Sequence, residues 1–281
     1  MSLAPAKPNA SRRAALTRAA ILGACLLYVG VLLLVPLAGI VWGAFKSGFG
    51  VIKDTFGQAD VRHAFMLTGI ITVITVIVTT AFGVVVAWVL ARQRFVGRTL
   101  MNAFVDLPFA MSAVTVGLAA VLLFGRGGWF ATFFEARGIQ IIYALPSMVL
   151  VTIFIAIPFT VREVAPVLEE VGTSEEDAAR TLGASTWQSF FRVTLPNIRW
   201  ALLYGVALST ARAIGEIGAV LIVSGRIEGQ TETATVFVLR AFEERQTSQA
   251  YLVALALAAV SILLLVGIET ARSRLERRKT R

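Results

Sequence analysis

Cysteine, histidine and lysine are scarce in the 281 residues: one cysteine (Cys25), one histidine (His63) and four lysines (Lys7, Lys46, Lys53, Lys279). A single cysteine excludes an internal disulfide framework, and one histidine with no cysteine near it leaves no His/Cys metal cluster. Cys25 reads as a small hydrophobe inside an apolar helix and His63 as a structural residue at the start of another. None of the four lysines stands in a G-x-x-x-x-G-K-[ST] phosphate loop, so the sequence offers no nucleotide site of that kind. Charge is scarce as well, at 15% of residues against 57% hydrophobic, and the mean hydropathy is +0.78. That balance excludes an ordinary water-soluble domain and makes the bilayer the solvent to reason with.

A net charge of +9 and a pI near 10.6 raise the question of a nucleic-acid partner. The basic residues sit at the ends of apolar segments rather than on a soluble domain, so membrane topology accounts for them and no nucleic acid is expected.

Uncharged runs at 19–45, 64–91, 107–125, 138–161 and 246–268 are each near or above the ~20 residues that a spanning helix needs. A sixth run, about 200–225, has the length but is interrupted by Arg212 and Glu216. Continuous runs of this kind lack the alternation of barrel strands, and lipid tolerates only helices or closed barrels, so the expected fold is an all-α polytopic bundle of six transmembrane helices. The first run follows a basic stretch like a signal peptide, but it is too long and no A-x-A-like site closes it promptly; it reads as a retained helix that Pro36 is able to kink.

Counting Lys and Arg on alternate sides of six spans gives seventeen on the side of both termini and eight on the other, with Arg212 inside a span. The positive-inside rule then places both termini in the cytoplasm. The expected organisation is a tail over 1–18, one membrane domain over 19–270 and a basic tail over 271–281.

The only sizeable polar stretch on the cytoplasmic side is about 162–200. Thr173 and Glu176 are spaced as a capping box, the acids Glu175, Glu176 and Asp177 suit the positive end of a helix, and Ala178, Ala179 and Leu182 share a small-residue face. Gly183 stands where a C-terminal cap belongs. Ser185 and Gln188 form a second capping-box spacing, Trp187, Phe190 and Phe191 supply an interfacial aromatic face, and Leu195-Pro196 is expected to end that helix before the fifth span. On caps alone an ordinary amphipathic re-entry loop is the favoured reading, because such caps recur in most proteins.

The combination Glu176, Ala178, Ala179, Gly183 and, after nine intervening residues, Val193-x-Leu195-Pro196 resembles the EAA loop of ABC-importer permeases, with Asp177 falling between Glu176 and Ala178 where Ala is usual. The resemblance implies a type I ABC importer permease fold in a bacterial inner membrane, with residues 166–199 as a coupling loop. It implies that Glu175, Glu176, Asp177, Ala178, Ala179, Thr181, Leu182, Gly183, Ala184, Leu195 and Pro196 engage a cytoplasmic ATPase. ATP and Mg would be bound by two copies of that ATPase and not by this chain. DLPFAMSAVTVGL, PSMVLVTIF, RVTLPNIRWALLYGVAL and ARAIGEIGAV further resemble sulfate/thiosulfate permeases of the CysW type and, less closely, molybdate permeases. One departure is Ala113 where Pro commonly follows the Ser of the third-span motif. The further implied partners are a second permease in a heterodimer, an external sulfate-binding protein and membrane lipid.

Arg212 and Glu216 are four residues apart, which on one helix gives a shared face and an ion pair inside a span. With Ser112 and Ser209 they are candidates for a translocation pathway or gate, and a structural ion pair is the competing reading. An ion-coupled secondary transporter or channel would need more midspan carboxylates, and a membrane-embedded enzyme would need convergent acids, bases or ligands that this sequence does not offer.

Overall fold

The computed structural model describes residues 8–46 and 48–279, with side chains over 17–46 and 48–270. Residues 1–7 and 280–281 of the expected tails lie outside the described residues, as do the side chains of Arg12, Arg13 and the basic residues after Thr270. In chain order the helices are α1 (Pro8–Phe45), α2 (Gly50–Gly57), α3 (Ala59–Arg92), α4 (Arg98–Ala110), α5 (Ala113–Phe124), α6 (Ala131–Glu135), α7 (Leu145–Val171), α8 (Ser174–Thr181) and α9 (Thr186–Ser189). A π-helical turn (Phe190–Thr194) leads into α10 (Leu195–Ile214), followed by α11 (Gly218–Ser224), α12 (Ala234–Glu243) and α13 (Thr247–Lys279). No strand occurs among the described residues.

Among the described residues, four helices are long and apolar enough to cross a membrane unbroken, namely α1, α3, α7 and α13. The other two expected spans are each a bent pair of helices and not one continuous helix. The run 107–125 is not one helix: α4 and α5 meet at 112° across the extended backbone of Met111 and Ser112. The run 200–225 likewise breaks after Ile214, and α11 departs from α10 at 51°. The bend at Ser112 is present although Ala113 replaces the usual proline.

Pro196 also behaves differently from expectation. It sits in the first turn of α10, directly after a π-helical turn. The wider π-helical turn just ahead lets the chain pass from α9 to α10 without a stop. Pro36 is likewise accommodated inside a single α1.

Burial in lipid brings little hydrophobic gain between helices, so close packing falls to small side chains. The central crossing of α3, α7 and α10 is built that way around Thr160. A Cβ on Gly83 would lie 2.7 Å from Thr160 Cβ, and one on Gly205 would lie 3.1 Å from Thr160 Cα. Thr160 and Ser209 are fully buried with their hydroxyls 3.1 Å apart. Gly83→Val is therefore expected to wedge α3 from α7 and cost about 1–3 kcal/mol, seen as a lower melting temperature of the detergent-solubilised protein; a melting temperature equal to wild type would refute the crossing.

Three buried clusters follow the bundle from end to end. Ala87, Leu90, Val164, Leu168 and Ile198 lie at the α8 end. Ile71, Val116, Met148, Val151 and Val220 occupy the middle. Val61, Phe237, Ala250 and Val253 close the α12 end. There Arg240 grips Glu232 through two hydrogen bonds of 2.7 and 3.0 Å and reaches Asp60 at the start of α3 at 3.2 Å. Its hydrogen bonds to Glu232 and the surrounding acids hold the guanidinium still more firmly protonated than usual. In contrast, α1 packs chiefly on α13 and leaves most of its apolar surface bare.

Candidate functional site

The loop after α7 folds into two short helices whose caps account for its shape. α8 ends in a Schellman motif: Ala184 N–H donates to Ala179 O and Gly183 N–H to Arg180 O, both at 3.0 Å. Gly183 takes φ +88, which a side chain would strain. The start of α9 has the expected capping box, with Gln188 N–H donating to Ser185 Oγ at 3.3 Å and Ser185 N–H to Gln188 Oε1 at 2.9 Å. The capping box expected from Thr173 and Glu176 does not form. Thr173 has helical backbone angles, which turn its hydroxyl away from the orphan N–H groups, and Glu176 is engaged elsewhere.

α8 consequently has two unlike faces. Asp177, Ala178, Thr181 and Leu182 are exposed, Leu182 at 89%, whereas Ala179 and Ala184 are half-buried. Glu176 points the other way, into the bundle. Its Oε1 accepts from Arg92 Nη2 at 3.0 Å and from the Thr194 hydroxyl at 3.0 Å. Arg92 also donates to Leu168 O at 2.6 Å, one of the carbonyls that the end of α7 leaves without an intrahelical donor. Beside it, Glu175 Oε2 accepts from Asn197 Nδ2 at 2.6 Å. Leu195 is half-buried and Pro196 exposed. With Trp88, Phe190 and Phe191, Leu195 borders an apolar hollow of about 510 Å³ beneath the loop.

The far end of α10 carries the two charges that interrupt the sixth apolar run. Arg212 Nη1 lies 2.5 Å from Glu216 Oε2, so the expected pair exists. It is not a pair on one continuous helix face, because Glu216 stands in the break where α10 has ended. Two groups of the break find partners: Glu216 Oε1 accepts from Ala219 N–H at 2.8 Å, and the Thr235 hydroxyl donates to Glu216 O at 2.8 Å. Glu216 thus serves the start of α11 and Arg212 at once.

Both helix breaks are neighbours in space. A Cβ on Gly218 would fall 2.8 Å from Ala113 Cβ, and one on Gly117 would fall 2.9 Å from Ala219 O. Ser112, exposed at the first break, precedes Ala113, the residue that meets Gly218 at the second. Ser209 is placed apart from them, in the seam with Thr160 and with Ala156 O as a further acceptor at 3.4 Å. Arg92 and Thr194 were not legible as site residues. Arg92 lies 84 residues from Glu176, and no sequence periodicity links an arginine at the end of one apolar run to an acid that distant.

Among known proteins, the family model described as "Binding-protein-dependent transport system inner membrane component" matches residues 79–281. The sulfate transport system permease protein CysW of Synechococcus elongatus is 47% identical over 247 residues, covering 88% of this chain and 86% of that protein. The sulfate transport system permease protein CysT of Escherichia coli strain K12 is 38% identical over 257 residues, covering 92% and 93%. In fold, a bacterial alginate ABC transporter crystallised with an alginate pentasaccharide-bound periplasmic protein has a chain that superposes with a TM-score of 0.77 at 16% identity, over 94% of this chain and 96% of that one. The chain belongs to the family of binding-protein-dependent transport system inner membrane components.

Proposed function

We propose that this chain is a permease subunit of an ATP-driven importer of sulfate or thiosulfate, lining the pathway together with a second permease of the CysT type. The observation that carries the reading is the two-faced α8, whose buried face is bonded to the bundle and whose outer face of Asp177, Ala178, Thr181 and Leu182 is free to enter a groove of a separate ATPase. Small side chains on that face favour close approach, and Leu182 supplies an apolar anchor. Two ATPase copies would hold ATP and Mg, and a binding protein outside would deliver the anion. Both termini and α8 then lie in the cytoplasm of a cell whose inner membrane holds six spans, two of them broken.

The relatives' names favour sulfate over molybdate or tungstate. In this reading Ser112, Arg212 and Glu216, gathered at the adjacent breaks, form the gate region, and Ser209 supports it through α7 rather than meeting the anion. Affinity purification of the wild type is expected to retain the ATPase. An Ala178→Trp/Leu182→Asp variant is expected to lose at least about 90% of it, by the cost of truncating or overfilling an interface centre. Equal retention by the variant defeats the docking assignment. Uptake of labelled sulfate with molybdate as competitor checks the substrate.

A further inference from the structure

We propose that Arg92 is a positioning residue that, through Glu176, ties the coupling helix α8 to α3 and α7, and that together with the Glu176–Thr194 bond at the head of α10 it makes α8 carry these helices with it. The inference deepens the docking reading above and rests on it. Arg92 is the last residue of α3, and the side chains of Arg92 and Glu176 are only 7% and 8% exposed. A buried charge pair costs several kcal/mol to desolvate, and it is retained only where its remaining donors and acceptors are well met. Here Arg92 Nη1 donates to Leu168 O of α7 and Nη2 to Glu176 of α8, and Glu176 also accepts from Thr194 of the π-helical turn, although Arg92 Nε is buried without a partner. A single guanidinium and a single carboxylate thereby join α3, α7, α8 and the π-helical turn.

Two features make this a transmission path and not merely a weld. Among the three acids in the first turn of α8, Glu176 is buried while Glu175 and Asp177 are exposed, so it is directed at the bundle and away from any partner. Thr194 and Asn197, which bond Glu176 and Glu175, bracket the start of α10. That helix of 20 residues runs about 30 Å and ends at the Arg212–Glu216 break. A rigid helix tied to α8 at one end and to the break at the other delivers a displacement of α8 to the gate region. The exposed pairs Arg98–Glu169 and Arg162–Asp106 also involve α7, but neither bonds α8.

The test uses the whole complex in proteoliposomes, scored as labelled sulfate imported per ATP hydrolysed. Arg92→Met is expected to keep the ATPase bound and hydrolysing while import per ATP falls about tenfold, the size of a typical coupling free energy. Arg92→Lys, which keeps the charge but cannot span both Leu168 O and Glu176, is expected to fall between Arg92→Met and wild type. Import per ATP within twofold of wild type in Arg92→Met overturns the proposal. If that variant does not insert, Arg92→Lys decides alone: an unchanged ratio overturns the proposal and a reduced ratio supports it. Loss of the ATPase from Arg92→Met with a normal ratio in Arg92→Lys also overturns it, since Arg92 would then only shape the docking face. A wild-type complex that holds no ATPase strikes instead at the docking reading.

Discussion

Glu216→Leu should be recovered from membranes in a small fraction of the wild-type yield, and the double variant Arg212→Met/Glu216→Leu should regain part of the loss. Glu216 is 3% exposed and answers two demands at once, the Arg212 guanidinium and the Ala219 N–H. Removing the carboxylate strands a cation in a low-dielectric surround, which costs about 3–5 kcal/mol, and leaves a buried N–H unpaired for about 1–3 kcal/mol more. Deleting the arginine as well removes the larger of these costs but not the smaller. Fluorescence-detected size exclusion after a temperature series measures the order. Should the double variant fare no better than the single, the role of Glu216 is to start α11 and the pairing with Arg212 is incidental. A single variant as stable as wild type refutes both roles.

Gly117→Val should be nearly as damaging, for a steric reason. A Cβ there would lie 2.9 Å from Ala219 O and 2.9 Å from Ile222 Cβ, and backbone cannot rotate aside as a long side chain does. α5 packs mainly on α11, so the added carbons must push the two broken spans apart, with a cost of about 1–3 kcal/mol or more. Gly69 makes the matching control. No atom lies within 4 Å of a Cβ built at that position in the middle of α3, so Gly69→Ala should be neutral or gain up to about 1 kcal/mol from helix propensity. The melting temperatures of the detergent-solubilised variants should therefore move in opposite directions or only Gly117→Val should fall. Equal drops for both would show that the α5–α11 contact is not specially tight.

Sequence reading reached the unbroken helices because lipid demands long apolar runs, and α1, α3, α7 and α13 have them. It reached the end of α8 because only a small set of residues tolerates the left-handed conformation that Gly183 adopts. The two bent spans were hidden for a related reason. Hydropathy is blind to backbone direction, so 107–125 reads as one run across Met111-Ser112, and the i,i+4 spacing of Arg212 and Glu216 mimics an intact helix. What actually ends α10 there involves Thr235, whose hydroxyl arrives from another helix. Long-range partners of this kind, like Arg92 for Glu176, leave no local pattern to find.

The bareness of α1 has a bearing on how the molecule is made. Its main neighbour is α13, with Gly43 lying against the ring of Tyr251, and α13 is translated only after every other span. On leaving the translocation machinery α1 therefore waits alone among acyl chains while the rest of the protein is synthesised. A helix with polar residues along one side would seek a surrogate partner during that interval. The described part of α1 from Ala19 to Phe45 has no charged residue on any side, so it is as comfortable in its long solitude as in its final berth.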